Sequence, residues 1–311
     1  MKFSAIILAY REPEQVNILT QQLIDEFSSD IDIFIHVSAG SEWMIDNLKT
    51  SNRIYICPEH IGYRNDGRKK NKKGQWAEDI LLRKILYCLS YARNNSKASY
   101  CLVLSGEDLI VRNGLKPYLE EHNRIVFMDG SVSDKKQRAR LVYKWGPIFK
   151  TKYECKIHPI RLLRRALLSL YSTGININKQ VNCELLDGYT ICKNLYWMCL
   201  PIDCVDYLLS FASNNPSIMD VFYKSICPEE SFFSTILYNN PQFKKRFNWI
   251  NDHEYRSITF FGKFTTSFPH ITAKDIDAIH NSNCYFAKKF SPGTNGELID
   301  YFLHYLEEHK K

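Results

Sequence analysis

The order of the opening runs limits what this chain can fold into. Phe3 to Ala9 is a short apolar run of buried-strand length, and Tyr10-Arg11-Glu12-Pro13 breaks it. From about Pro13 to Phe27, Val16, Leu19, Leu23 and Phe27 recur at helical spacing, and Asp32 to Val37 is a second strand. Strand, turn, helix, strand is the opening of an α/β fold built on a parallel sheet. Such sheets bind ligands beyond the carboxyl ends of their strands, so Arg11, His36 and Ser38 fall at the expected binding edge.

Further along, Arg53 to Cys57 reads as a third strand, and Gln75 to Arg93 as the strongest helix. Between them, Arg64 to Lys73 (RNDGRKKNKK) reads either as a solvated loop or as a basic arm for an anionic group. It lacks the GxxxxGK arrangement of a P-loop. Tyr100 to Leu104 is a buried strand that runs into Ser105-Gly106-Glu107-Asp108. Asp108 reads either as an acidic group at a nucleotide-sugar site or as a cap for the turn before a helix at Leu115 to Glu121. Ile125 to Asp129 is another strand.

From Asp134 the chain turns basic, with Lys135, Lys136, Arg138 and Arg140. His158 onward predicts a basic amphipathic helix, whose leucines either pack inward or rest on an anionic membrane surface. Leu185 to Cys192 and Leu195 to Leu200 read as strand segments, and Pro201 to Phe211 as a helix. Phe247 to Phe261 predicts one or two strands, Thr272 to Asp275 a capping box, and Glu297 to His309 a closing helix. The halves 1–130 and 131–311 are expected to bind nucleotide and acceptor respectively, within one catalytic domain.

Cys227 to Asn240 (CPEESFFSTILYNN) carries the sharpest chemical signal. Pro228 suits the first position of a helix, and Glu229 and Glu230 suit its first turn. The two glutamates either favour the helix dipole or present a fixed carboxylate for general-base work. Two lysines, Lys288 and Lys289, sit in an aromatic frame near the end of the chain. Arg11, Ser38, Asp108, Glu230 and the lysine pair together suit an inverting transfer. One carboxylate takes the acceptor proton, and positive side chains hold the charge that gathers on a nucleoside diphosphate leaving group.

Charge and cysteine content narrow the class. A formal charge of +7 over 311 residues suits anionic partners such as nucleotides or a membrane surface, while no nucleic-acid-reading spacing appears. The ten scattered cysteines form no CxxC pair, which points to buried reduced thiols. No apolar run is long enough to span a membrane and no cleavage signal follows the first residues, so a cytoplasmic protein is expected. Asp30-Ile-Asp32 and Asp275-Ile-Asp277 are misplaced for a nucleotide-sugar metal motif, and no metal is expected. A metal-dependent nucleotidyltransferase holding Mg²⁺ at Glu107 and Asp108, or a non-catalytic saccharide- or membrane-surface-binding protein, are the alternatives.

Five stretches resemble the core-2/I-branching β-1,6-N-acetylglucosaminyltransferase family (glycosyltransferase family 14, with the peptide O-xylosyltransferases). They are IILAYREPEQV, IFIHVS, LVLSGED, PEESFFSTIL and YFAKKF, in the family's order. The resemblance implies a GT-A type fold with a Rossmann-like, mostly parallel sheet flanked by helices, in a bacterial member of the family. It implies inverting, metal-independent transfer of GlcNAc or xylose from a UDP-sugar to a saccharide or lipid-linked saccharide, with Glu230 as base and Lys289 on the diphosphate, beside Lys288. Arg11, Ser38 and Asp108 fall at the donor, with Tyr63 or Trp76 stacking on the base; Tyr196, Trp197 and Glu229 fall at the acceptor. Ser38 stands where the family has an aspartate that reads uracil; it hydrogen-bonds but carries no charge. The expected location is the cytoplasm, with the basic helix from His158 as the element for peripheral contact with the inner membrane.

Overall fold

A computed structural model describes residues 1–62, 79–133, 135–150, 158–175, 177–251, 258–261 and 269–310. The basic loop, Tyr63, Trp76 and the start of the helix expected from Gln75 lie outside these residues.

The chain opens with β1 (Phe3–Ala9), α1 (Pro13–Phe27), β2 (Ile31–Val37), β3 (Ile54–Ile56) and α2 (Ile80–Asn95). It continues through β4 (Tyr100–Ser105), β5 (Asp108–Ile110), α3 (Leu115–Glu121), β6 (Phe127–Val132), α4 (Lys135–Val142), α5 (Pro147–Lys150) and α6 (Pro159–Ser172). Next come β7 (Cys192–Pro201), α7 (Ile202–Asn214), α8 (Pro216–Tyr223), α9 (Phe232–Tyr238), α10 (Pro241–Lys244) and α11 (Asn248–Asn251). The last elements are β8 (Thr259–Phe261), α12 (Ile276–His280), β9 (Phe286–Lys288) and α13 (Pro292–Glu308).

The main sheet runs β3-β2-β1-β4-β7-β6. Its first four strands are parallel, β7 is antiparallel to β4, and β6 is antiparallel to β7. This is the expected mixed α/β architecture, a mostly parallel central sheet flanked by helices. The sheet takes β1 to β4 from the first 130 residues and β7 from the rest, so one sheet crosses the expected boundary between halves.

Successive side chains of a strand point to opposite faces, and β1 feeds two cores accordingly. Ile6 and Leu8 join one cluster with α2 and α7, while Phe3, Ala5, Ile7 and Ala9 join the other with α1 and α3. A strand buried on both faces has no polar side, which is why its sequence is a continuous apolar run. In α1, Val16, Leu19, Leu23 and Phe27 are fully buried, each worth roughly 1.5–3 kcal/mol relative to exposure. A small sheet, β5-β9-β8, packs its far side on α12 and α13. Gly106 links β4 to β5 beneath α1, where a Cβ would stand 2.8 Å from Val16 Cγ2.

Several expectations shift. Pro228 does not begin a long helix: Pro228–Glu230 is a single 3-10 turn, Ser231 interrupts, and α9 starts at Phe232. Leu185 to Cys192 is not a strand. A 3-10 turn covers Cys183–Leu186, Gly188 takes a left-handed conformation at φ +86°, and β7 starts only at Cys192. Within Phe247 to Phe261 the described residues hold one strand, β8, as expected, and add the short helix α11. The capping box holds: Thr272 N donates to Asp275 Oδ2 at 2.8 Å, and the Thr272 hydroxyl does the same at 2.8 Å.

The basic helix α6 follows neither expected packing cleanly. Leu162, Leu163 and Leu170 are exposed, while Arg164 turns inward and donates to the Phe149 carbonyl at 2.7 Å. The nine described cysteines are buried and free. No helix among the described residues is long and apolar enough to cross a membrane.

Candidate active site

At the carboxyl edge of β1 and β4, positive side chains surround one carboxylate. Glu107 Oε1 accepts from Arg11 Nε at 2.9 Å and more closely from Arg11 Nη2. It also accepts the Tyr10 hydroxyl at 3.2 Å and pairs with Lys289 Nζ at 3.1 Å. Burial opposes the Glu107 charge, but Lys288, Arg11 and Lys289 outweigh it and hold its pKa below the usual carboxylate value.

Asp108, expected at the donor, sits below this layer and is fully buried. One oxygen accepts Ser105 N at 2.8 Å and the Trp197 indole N–H at 3.0 Å; the other accepts the Ser105 hydroxyl at 2.8 Å. Glu107 lies in the turn before β5 and meets Arg11 and Lys289, whereas Asp108, the first residue of β5, is buried. Asp108 instead anchors Lys288, whose Nζ lies 3.8 Å from Asp108 Oδ1, 3.0 Å from Ser105 Oγ and 3.6 Å from the centre of the Trp197 ring. Burial lowers the Lys288 pKa to about 8, with Asp108 opposing the shift.

Ser38, at the end of β2, accepts from Lys84 Nζ at 2.7 Å. Lys84 is buried on α2, and burial lowers its pKa to about 8. A cation therefore stands behind the neutral side chain at this edge.

Across β7 stands the carboxylate turn. Glu229 is 3% exposed, and its Oε2 has no hydrogen-bond partner among the described residues. Burial first, and the neighbouring Glu230 second, raise its pKa well above the usual value. The Glu230 side chain is 23% exposed and accepts from Arg140 Nη1 of α4 at 2.8 Å. Of the two, Glu230 is open to a ligand, whereas Glu229, expected at the acceptor, is enclosed. Cys227 Sγ and one oxygen from each glutamate lie within 4.8 Å of one another, a donor set that could take a cation. Burial keeps the Cys227 thiol protonated, its pKa well above the ordinary value, and Arg140 already occupies Glu230.

β7 ties the two clusters together. Asn194 Nδ2 donates to the Glu229 carbonyl at 3.1 Å, while Asn194 Oδ1 accepts the Ser234 hydroxyl at 2.6 Å. Tyr196 stacks on Trp197 with centroids 3.8 Å apart. The half-buried Tyr196 ring carries a hydroxyl whose pKa is raised by burial and then by Asp108, Glu107 and Glu229. Tyr196 thus feels both carboxylate groups, while Trp197, expected at the acceptor, belongs to the Lys288 side. The sequence reading missed Glu107 as the charge centre and Arg140 as the partner of Glu230. No local pattern marked the first, since Glu107 lies in the turn before β5, and a partner 90 residues away leaves no signal for the second.

No protein-family model and no curated protein matches the chain. Among solved structures, mouse xyloside xylosyltransferase 1 is similar at 8% identity, over 79% of this chain and 83% of that one, with a TM-score of 0.33. The galactosyltransferase LgtC, solved with donor and acceptor sugar analogues, is similar at 12% identity, over 59% and 69%, with a TM-score of 0.28. TarS of S. aureus, solved as residues 1–349 with UDP, is similar at 15% identity over 42% of this chain, with a TM-score of 0.23. The chain spans about a third (34%) of that TarS chain.

Proposed function

We propose that this chain is an inverting glycosyltransferase of GT-A type. It moves a sugar from a nucleotide donor to a hydroxyl of a saccharide. By the sequence resemblance, the donors to try first are UDP-GlcNAc and UDP-xylose. One observation carries the reading: a cation cluster and a partly open glutamate are held on the same strand, β7, at the carboxyl edge of a parallel sheet.

In this reading the diphosphate lies against Arg11 and Lys289, with Lys288 behind them. Glu107 keeps these cations together in the absence of donor and yields them to the more highly charged phosphates. Ser38 and Lys84 face the base, where a lysine hydrogen bond to a ring carbonyl supplies what an aspartate would supply to a ring N–H. Glu230 accepts the proton of the acceptor hydroxyl, and Arg140 fixes the orientation of its carboxylate. The acceptor oxygen forms its bond to the anomeric carbon as the bond from that carbon to the phosphate oxygen breaks. The electron pair leaves with the nucleoside diphosphate, and the cations stabilise the charge that gathers there. Burial favours the neutral form of Glu229, which lessens the negative charge beside the base.

The test is release of UDP from UDP-GlcNAc and UDP-xylose by the purified protein, with and without EDTA. Release that persists in EDTA is the expected result. Release only with added Mg²⁺ would move the chemistry to a metal site. Saccharide binding without turnover of any nucleotide sugar would make the protein a binding module.

A further inference from the structure

A groove of about 590 Å³ lies between the outer ends of β6 and β7 and the facing sides of α4 and α6. Lys136, Arg140, Arg165 and Lys193 line it beside serine hydroxyls, and no acidic residue is among its described lining residues. These cations come from three separate elements, α4, α6 and β7, so the clustering arises from the fold and is not one charged run. Arg140 is met by Glu230, while Arg165 and Lys193 are exposed at the groove, where an anion with several acceptor oxygens can engage both. The donor diphosphate already has its own cations on the other side of β7. Arg140 links the groove to the reacting carboxylate, because it lines the groove and donates to Glu230 at 2.8 Å.

We propose that this groove is the acceptor subsite and that the acceptor is an anionic saccharide, with a phosphate or carboxylate close to the hydroxyl that receives the sugar. This rests on the transferase reading of Glu230. The volume falls within the range of about 300–1,000 Å³ usual for small-molecule sites, enough for a sugar with its charged substituent. Arg165 and Lys193 hold the charged group, and Arg140 bridges it to the base.

Calorimetry on the full chain tests this with glucose 6-phosphate, glucuronate and uncharged glucose as probes. The charged sugars bind and glucose does not. The exposed double variant Arg165→Glu/Lys193→Glu binds the charged sugars at least about tenfold more weakly, in line with the strength of charge-assisted contacts, and keeps its melting temperature and UDP affinity. Lys289→Ala leaves sugar binding unchanged. Phosphatidylglycerol vesicles form a further arm, because a lipid headgroup offers the same phosphate chemistry. Binding of vesicles alone, equal binding of charged and neutral sugars, or loss of UDP affinity in the double variant each overturns the proposal. Full turnover in Glu230→Gln with groove binding intact would remove Glu230 as the base and leave the anion site standing.

Discussion

Glu230→Gln separates chemistry from architecture at this site. The Glu230–Arg140 pair is a single contact of 2.8 Å between side chains 23% and 28% exposed. The amide oxygen of glutamine can accept the same hydrogen bond, so about 1 kcal/mol or less of stability is at stake for a pair that open to solvent. Removing a general base lowers the rate by about 10²–10⁴-fold, or ~3–5 kcal/mol of barrier at 1.36 kcal/mol per decade. The catalytic loss therefore exceeds the structural one several times over. The donor-side cations make their contacts with Glu107 and Asp108, not with Glu230, so UDP affinity stays within a few-fold. The assay is turnover of a nucleotide sugar with UDP calorimetry and a melting curve on the same preparation. Unchanged turnover refutes Glu230 as base, and a parallel fall in UDP affinity would place it at the donor instead.

The remaining expectations divide among the neighbouring groups. Glu229→Gln costs less than about tenfold in turnover, because burial already favours the neutral form of the native carboxyl; a loss as deep as that of Glu230→Gln would exchange the two roles. Lys289→Ala weakens UDP binding by about tenfold or more, the scale of one charge-assisted hydrogen bond, and calorimetry reads it; unchanged affinity would mean the lysine serves only Glu107. UDP affinity falls as pH rises through about 8, where Lys288 loses its charge, and Lys288→Arg flattens that profile because guanidinium stays protonated. Glu107→Gln lowers stability by about 2 kcal/mol at neutral pH, since it leaves Arg11 and Lys289 without their shared carboxylate. The Glu107 pKa is depressed in the folded state, so its contribution is full above the usual carboxylate value and disappears as pH falls through the depressed one. Thermal melts of the two proteins should therefore converge in acid, and a constant gap across that range would contradict the assignment.

Patterned runs made the framework readable in advance. Phe3 to Ala9 and Tyr100 to Leu104 are apolar on both faces because helices cover both sides of their sheet, and that doubled burial is what their sequences carry. Polar, short-range structure was harder to read. PEESFF has a proline and two acids where a helix start has them, yet the chain makes a 3-10 turn and resumes at Phe232. Ser231 marks the break: its hydroxyl accepts from Gln137 of α4, a contact no local pattern contains. The site divided the same way. Glu230, Arg11 and Lys289 were legible from motif and position. The inward turn of Asp108, the enclosure of Glu229, and the gathering of Lys136, Arg140, Arg165 and Lys193 around one groove depend on packing between distant segments.

β7 is antiparallel to β4 and lies between β4 and β6, with a shift in its register against β6 between Met198 and Asn194. Only two residues separate Asn194, which holds the carbonyl of Glu229, from Trp197, which holds Asp108 and Lys288. A chain of trans peptides reaches at most about 3.3–3.6 Å per residue, so the span between them cannot lengthen much. In the proposed mechanism it therefore acts as a gauge between the leaving group and the incoming nucleophile. Loops and helices around it could be rebuilt for a different sugar chain while the gauge kept its length.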